Sequence, residues 1–174
     1  MAVYIYTDGS TKSNGKDNSI GGYAVVVMDA MNLHVLDCYA ETGIENTTNN
    51  RMELTAIMAA TIMYGWRTKQ KEYVYIYTDS SYAKQCLTTW WMSWINNNWK
   101  TSTGSSVKNK DIIEPFVHLV YGSNQKYISP WSFNIEYVPG HSGDLGNELA
   151  DKLATGELTC EEVMKRYSLD RLGV

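Results

Sequence analysis

The residues that could do chemistry in this sequence are acidic, and two of them end matching stretches. Residues 3–8 read VYIYTD and residues 74–79 read VYIYTD again, so Asp8 and Asp79 each follow a run of β-branched and aromatic residues. Such runs predict strands. If these strands are parallel neighbours in register, about 4.8 Å apart, the two carboxylates stand side by side. Carboxylates that close repel each other unless a cation joins them, and oxygen ligands favour a hard ion such as Mg²⁺ or Mn²⁺.

Each acidic residue also has an ordinary structural explanation. Asp8 and Asp79 could be turn or cap residues at strand ends, and Asn50-x-x-Glu53 has the spacing of a capping box at the start of a helix. Asp151 could be a solvated residue on an amphipathic helix. Spacing alone therefore leaves an acidic metal site as one hypothesis beside these simpler ones.

The elements that must position these residues follow from hydrophobic periodicity and turn signals. Strands are predicted over residues 3–8, 22–28, 34–42, 73–78 and 131–138. Helices are predicted over 48–64, from a cap at Asp79 or Ser80 through Leu87, around Trp90–Ile95, and over 111–121 and 144–155. A capping box formed by Thr159 and Glu162 begins a last short helix that ends near Leu169.

The order of these elements predicts the fold class. Short turns join the first three strands, which favours antiparallel pairing, whereas helices join strand 1 to strand 4 and strand 4 to strand 5, which favours parallel pairing. We therefore expect an α/β fold with a mixed five-stranded sheet, three antiparallel strands plus two parallel ones, flanked by helices. Sites in such sheets form at the carboxyl ends of the parallel strands.

Composition is typical of a soluble globular protein. The 174 residues are 44% apolar and 20% charged, no apolar run approaches the length of a membrane span, and the first residues read as strand rather than signal peptide. The three cysteines are scattered, which favours free thiols in a reducing compartment. We expect a cytoplasmic, monomeric protein without a membrane partner.

Local charge differs from the net charge of −4. Residues 80–110 contain no Asp or Glu but hold four lysines and several aromatic residues: Lys84, Lys100, Lys108, Lys110, Tyr82, Trp90, Trp91, Trp94 and Trp99. Lysines interleaved with aromatics suit a polyanion that offers phosphates and stacking surfaces. The alternative is a core helix with a solvated lysine edge.

Four separated segments together resemble type 1 ribonuclease H. They are YTDGS (6–10), TNNRMEL (48–54), YTDSSY (77–82) and VPGHSGDLGNELADKLA (138–154), in the family's order and spacing. The resemblance implies a ribonuclease-H-like fold, with a catalytic domain over 1–155 and a helical extension of the same domain over 156–174. It also implies an endonuclease that hydrolyses the RNA strand of RNA–DNA hybrids.

The resemblance assigns the catalytic residues. It places the metal-binding carboxylates on Asp8, Glu53, Asp79 and Asp151, which would hold two Mg²⁺ ions, with Mn²⁺ able to substitute. Two ions about 4 Å apart stabilise an in-line displacement and leave a 5′-phosphate and a 3′-hydroxyl. His141 matches a histidine on a mobile loop that helps proton transfer or product release.

The resemblance also implies contacts with both strands of a hybrid. The residues that match contacts to the RNA strand or the minor groove are Gly9, Ser10, Asn49, Asn50 and Asn147. Those that match the DNA-phosphate pocket, the aromatic channel and the basic handle after it are Thr48, Asn109, Trp90, Trp94 and Lys100. The 2′-hydroxyls read in this way distinguish RNA from DNA.

Two departures from the family pattern concern affinity. The handle tip reads Asn96-Asn97-Asn98 where well-known bacterial members carry basic residues, and Asn46 stands where some members have an arginine. Fewer phosphate contacts predict weaker binding and a shallower salt dependence. Two rival functions are a related domain that binds hybrids or proteins without cutting, and a DNA-cutting relative such as an integrase or resolvase. The intact carboxylates argue against the first, and the NNRMEL and GHSGDLGNELAD segments argue against the second.

Overall fold

A computed structural model describes residues 2–122 and 128–168 of the chain. The sheet has the order β3-β2-β1-β4-β5. Its strands are β1 (Ala2–Lys12), β2 (Ile20–Asp29), β3 (Val35–Glu45), β4 (Tyr73–Thr78) and β5 (Phe133–Tyr137). The helices are α1 (Asn49–Tyr64), α2 (Ser81–Gln85), α3 (Trp91–Asn96), α4 (Lys110–Tyr121), α5 (Leu145–Ala154) and α6 (Cys160–Tyr167).

Strand pairing follows the predicted pattern. β1 pairs antiparallel with β2, and β2 antiparallel with β3, whereas β4 pairs parallel with both β1 and β5. Val3 lies opposite Val74 and Thr7 opposite Thr78, so the two VYIYT sequences align residue for residue. The predicted mixed five-stranded sheet is confirmed, and each copy delivers its aspartate to the same edge.

Helices cover both faces of the sheet because strand residues alternate between them. Val3 and Ile5 of β1 lie in the core under α1 and α4, together with Val74 and Ile76 of β4. Tyr6 lies on the opposite face, in a second core that includes residues of α5 and α6. Successive residues of β1 therefore pack alternately into the two cores.

Several boundaries differ from the sequence prediction. β1 runs to Lys12 rather than ending at residue 8, because Ser10 and Lys12 pair with Gly22 and Ile20 in a longer hairpin than the polar sequence indicates. β5 begins at Phe133 rather than residue 131, because Pro130–Ser132 forms a 3₁₀ turn. Trp131, on that turn, is 93% exposed.

The segment between β4 and α4 is helical but irregular. α2 and α3 flank a π-helical turn, Cys86–Trp90, which joins the two predicted helices into one continuous segment. A 3₁₀ helix, Gly65–Gln70, leads from α1 toward β4. In the described residues, no helix is both long and apolar enough to cross a membrane.

The last described helix packs on the sheet. α6 lies against β3, and its Val163 is fully buried in the same core as residues of α5. The predicted capping box is present, since Thr159 and Glu162 bond each other's backbone N–H groups. α6 ends at Tyr167, and the predicted end near Leu169 lies outside the described residues.

Candidate active site

Asp8 and Asp79 meet at the carboxyl-end edge of the parallel strands. Asp8 lies within β1 and Asp79 directly after β4, so the register of the two strands brings their side chains together. Ser80 rather than Asp79 caps α2, because its hydroxyl accepts the Ala83 N–H. The Asp79 carboxylate is therefore not used as a helix cap.

Glu53 reaches this edge from α1, which packs very closely on β1. A Cβ atom built on Gly9 would lie 2.2 Å from the backbone nitrogen of Glu53, so only glycine allows this approach. Thr48 caps the helix by accepting the Arg51 N–H, and Asn50 lies inside the helix. The capping-box explanation for Glu53 is therefore wrong, and the side chain is free for the site.

One carboxylate oxygen from each of Asp8, Glu53 and Asp79 lies within 4.8 Å of the other two. We call this group the acidic trio. Asp8 is 5% exposed and Glu53 9% exposed, so most of the trio is out of contact with water. Three carboxylates this close repel one another when ionised, because each charge raises the cost of ionising the next.

Electrostatics within the trio follow from this crowding. Burial raises the pKa of Asp8 to about 7, and the charges of Asp79 and Asp151 add to the effect. Burial also raises the pKa of Glu53 well above its ordinary value, and the charges of Asp8 and Asp79 reinforce it. A backbone hydrogen bond from Gly9 acts in the opposite direction at both groups. A bound cation would remove most of this penalty.

The donor set fits a hard divalent cation. The ligand atoms are carboxylate oxygens, the type that Mg²⁺ and Mn²⁺ prefer. Oε2 of Glu53 is buried and has no hydrogen-bond partner among the described residues, so an acceptor is turned into the site unsatisfied. Buried acceptors without partners are uncommon in native proteins, and an unpaired carboxylate oxygen at this edge fits a cation ligand.

α5 brings Asp151 and Asn147 beside the trio. Asp151 lies outside the 4.8 Å cluster but close enough for its charge to raise the pKa of Asp8 and Glu53. Asn147 is 3% exposed and donates from Nδ2 to Oδ2 of Asp79 at 3.4 Å. Its Oδ1 is buried without a partner in the described part of the chain. The fourth predicted carboxylate is thus adjacent to the trio rather than within it.

The loop that carries His141 passes over Asp79. A Cβ atom on Gly140 would lie 2.9 Å from Oδ2 of Asp79, so the backbone touches the site there. His141 itself is exposed and has a left-handed backbone, with φ of 53°. The structure therefore places the predicted histidine next to the trio on a turn open to solvent.

A groove beside the amino end of α1 gathers several predicted substrate residues. We call it the α1 groove; its lining is Asn14, Gly15, Thr48, Asn49, Asn50, Arg51, Tyr82, Lys108 and Asn109. The structure thus brings Thr48, Asn49, Asn50 and Asn109 together from two distant parts of the sequence. The other lining residues were not among the predicted substrate contacts.

Five lining residues were absent from the predicted site: Asn14, Gly15, Arg51, Tyr82 and Lys108. Asn14 accepts the backbone N–H of Asn49 at 3.0 Å, which ties the β1–β2 hairpin to α1. Arg51 donates to Asp111 in a two-pronged ion pair and to Oδ1 of Asn109. The RMEL segment and the acid-free window contain Arg51, Tyr82 and Lys108, but their common location depends on contacts between residues 60 positions apart.

The family model for RNase H matches residues 1–159 of the chain. A ribonuclease H of Orientia tsutsugamushi (strain Boryong) is 39% identical over 166 residues, which cover 95% of this chain and 88% of the relative. The chain belongs to the ribonuclease H family. It is therefore an enzyme of the nuclease class, and the resemblance in the four sequence segments is confirmed.

Other members of the ribonuclease H family match over similar lengths. A ribonuclease HI of Rickettsia prowazekii (strain Madrid E) is 37% identical over 94% of this chain and 95% of its own. Among solved structures, LC9-RNase H1, described as a type 1 RNase H with the type 2 active-site motif, has a TM-score of 0.67 at 26% identity. That match covers 95% of this chain and 81% of the other.

A more distant structure shares the ribonuclease H fold. LC11-RNase H1, solved in complex with an RNA/DNA hybrid, has a TM-score of 0.61 at 18% identity and covers 93% of this chain and 99% of its own. At this identity the likeness shows the fold alone. Sheet order and helix placement in this chain are those of a ribonuclease H domain.

In this ribonuclease H, the predicted aromatic channel adjoins the α1 groove. Asn109 donates to the hydroxyl of Tyr82 at 3.1 Å, and the Tyr82 ring lies 6.1 Å from that of Trp90. Trp90 in turn lies 6.0 Å from Trp94 and is 41% exposed. The exposed tryptophan therefore lies beside the groove, next to its lining residue Tyr82.

The predicted basic handle is held together by Asn97. Its side-chain amide donates to the carbonyl oxygens of Lys100 and Thr101, and Lys100 pairs with Ser106 across the loop. Lys100 is exposed. At least one of the three asparagines at the tip therefore has a structural role, which the comparison with basic family members did not reveal.

Proposed function

We propose that this enzyme hydrolyses the RNA strand of RNA–DNA hybrids and leaves 5′-phosphate and 3′-hydroxyl ends. The observation that carries the proposal is the acidic trio, with three carboxylates from separate elements within 4.8 Å at the carboxyl-end edge of the sheet. Membership of the ribonuclease H family supports the same reaction class.

Asp8, Glu53, Asp79 and Asp151 would hold two divalent cations, Mg²⁺ or Mn²⁺. When bound, such ions supply Lewis acidity to the attacking water and to the leaving 3′ oxygen. Asp8 and Glu53 are suited to this task because burial and mutual repulsion make their ionised forms costly without a cation. Asp151 lies on α5 outside the trio and would add a fourth carboxylate to the metal site.

The remaining residues of the site orient substrate and move protons. Asn147 donates to Asp79 through Nδ2. It matches the family's asparagine near the ribose 2′-hydroxyls, and the proposed function keeps it in that role. Gly9 and Ser10, which follow Asp8 within β1, would present backbone and hydroxyl groups to the RNA strand. His141 takes up or delivers a proton from its exposed turn next to Asp79.

The DNA strand would follow the α1 groove and the aromatic surface. Thr48 and Asn109 lie in the groove with Lys108, which gives polar groups and positive charge for one phosphate. Trp90 and Trp94 would pack against the adjoining sugars, and Lys100 would meet the backbone beyond them. Asn49 and Asn50, both exposed at the start of α1, would face the minor groove.

Cleavage of an end-labelled hybrid tests the function directly. We expect the wild-type enzyme to cut only the RNA strand in Mg²⁺, to stop in EDTA, and to spare a DNA duplex. Asp79→Asn should lose cleavage at unchanged thermal stability, since the amide keeps the shape of the carboxylate. Asp29→Asn is the matched control, because Asp29 lies at the opposite end of β2 and caps a turn through Met31 and Asn32.

Two outcomes would favour the rival functions. Tight hybrid binding without cleavage in any divalent ion indicates a non-cutting module, and cleavage of a DNA duplex indicates a DNA-cutting relative. We further propose that the enzyme acts as a monomer in the cytoplasm. The free state of Cys38, Cys86 and Cys160 is consistent with a reducing compartment.

A further inference from the structure

The side chain of Tyr6 joins β1 to the amino terminus of α5. Its hydroxyl donates to Oδ2 of Asp144 at 3.3 Å. The other oxygen of the same carboxylate, Oδ1, accepts the backbone N–H of Asn147 at 3.1 Å and so caps α5. One carboxylate thus links a residue of the central strand to the first turn of the helix.

The Tyr6 ring also sets how closely α5 approaches the sheet. It stacks on Tyr77 of the neighbouring strand, with ring centroids 5.0 Å apart and planes 19° from parallel. On the helix side, a Cβ atom on Gly146 would lie 2.1 Å from the ring, so the backbone of α5 rests directly on it. Tyr6 is 6% exposed, and it has little room to move.

The helix held in this way carries groups of the active site. Asn147, whose N–H is bonded by Asp144, donates from its side chain to Asp79. Asp151 follows one turn later on the same helix. Tyr6 itself lies two residues before Asp8 in β1, so its side chain joins the strand that carries Asp8 to the helix that carries Asn147 and Asp151.

We propose that Tyr6 is a positioning residue, which acts through Asp144 and Gly146 to hold Asn147 and Asp151 at the correct distance from the acidic trio. The proposal rests on the proposed function for its activity measurement, but not for its metal-binding measurement. The alternative is that Tyr6 is an ordinary core residue whose hydroxyl is merely satisfied by the helix cap.

The test uses Tyr6→Phe, Asp144→Ser and the double variant. Serine keeps the helix cap, since its hydroxyl can accept the Asn147 N–H, but it lacks the second oxygen that Tyr6 bonds. We expect each single variant to lower kcat and to raise the Mg²⁺ concentration for half-maximal cleavage, each about tenfold. The double variant should be no worse than either single one, because both remove the same bond.

Tyr77→Phe is the matched control. It removes a hydroxyl from the ring stacked on Tyr6 and leaves the Tyr6–Asp144 bond in place, so kcat and the Mg²⁺ midpoint should match the wild type. If Tyr77→Phe produces the same loss as Tyr6→Phe, the loss is not specific to the Tyr6–Asp144 bond and the proposal is wrong.

Mn²⁺ binding without substrate gives a second measurement, from the electron paramagnetic resonance signal of the free ion. Weaker Mn²⁺ binding in Tyr6→Phe and Asp144→Ser supports the positioning role. Lower melting temperatures with unchanged Mn²⁺ binding and unchanged kcat overturn it, as does a double variant whose losses multiply. If the wild type binds Mn²⁺ but leaves the hybrid intact, the proposed function fails while this arm still decides the role of Tyr6.

Discussion

The backbone nitrogen of Glu53 lies so close to Gly9 that a Cβ atom on the glycine would come within 2.2 Å of it. A second backbone atom, the carbonyl carbon of Met52, would lie 2.3 Å away. Because both are backbone atoms, neither can turn aside as a side chain could. This contact fixes the height of α1 over β1, and with it the position of the Glu53 carboxylate in the trio.

Gly9→Ala should therefore displace α1 and disable the site. Overpacking of a well-packed contact costs about 1–3 kcal/mol, so the melting temperature should fall while the protein still folds. Cleavage should fall much further than stability, because Glu53 moves away from Asp8 and Asp79. Gly43→Ala, on β3, is the control, since a Cβ there meets no atom within 4 Å, although its φ of 78° adds some backbone strain. Equal kcat in Gly9→Ala and the wild type would contradict the prediction.

The crowded trio predicts how stability of the metal-free protein depends on pH. Asp8 has a folded pKa of about 7 against 3.8 in its ordinary range, so the folded state binds protons more tightly than the unfolded state between these values. The contribution of Asp8 to the free energy of unfolding is therefore most favourable below about pH 4, and it declines as the pH rises toward 7. The raised pKa of Glu53 acts in the same direction.

Thermal melts in EDTA at pH 5.5 and pH 8 check this linkage, with Asp8→Asn as the comparison. The variant removes the charge from position 8, so its melting temperature should exceed that of the wild type at pH 8 and approach it at pH 5.5. Adding Mg²⁺ at pH 8 should raise the melting temperature of the wild type more than that of Asp8→Asn. A wild type that melts identically with EDTA and with Mg²⁺ at pH 8 would count against a cation in the trio.

Lys108 provides a test of the α1 groove. It is an exposed lining residue, and a lysine that meets a phosphate contributes one released counterion to binding. Lys108→Ala should weaken hybrid binding and lower the slope of log K against log salt by about 1, with kcat at saturation nearly unchanged. Lys69→Ala is the control, because Lys69 is exposed on the 3₁₀ helix that precedes β4, far along the chain from the groove. Equal salt slopes for the two variants would exclude a phosphate contact at Lys108.

Much of this architecture could be predicted because local signals agreed with the fold. The repeated VYIYT sequence, with its strand-forming residues, indicated the parallel pair that brings Asp8 and Asp79 together. The extent of the β1–β2 hairpin was not predicted, because its polar residues resemble a loop. They are in β-strand conformation because the ladder continues to the pair of Lys12 with Ile20. Local sequence does not contain the partner strand that supplies those hydrogen bonds.

The same limit applies to the site. The residues of the trio stood out by type and context, whereas the capping-box spacing of Glu53 pointed to a cap that Thr48 provides instead. The Arg51–Asp111 pair and the Tyr6–Asp144 bond join residues far apart in sequence, so no spacing rule predicts them. These two interactions form only because α1 packs against α4 and α5 packs against β1.

The tip of the handle gives the last prediction, since its three asparagines are not equivalent. Asn97 holds the loop by donating to the carbonyls of Lys100 and Thr101, and Asn98 has a left-handed backbone, with φ of 51°. Asn96, the last residue of α3, is exposed and carries neither constraint. Asn96→Lys should therefore add a phosphate contact without disturbing the loop, and so lower KM and steepen the salt dependence of binding while kcat stays the same. Asn97→Lys, made in parallel, should instead loosen the loop, because it removes the two bonds to Lys100 and Thr101, and should not lower KM. If Asn96→Lys leaves KM and its salt dependence unchanged, the handle of this enzyme does not approach the nucleic acid.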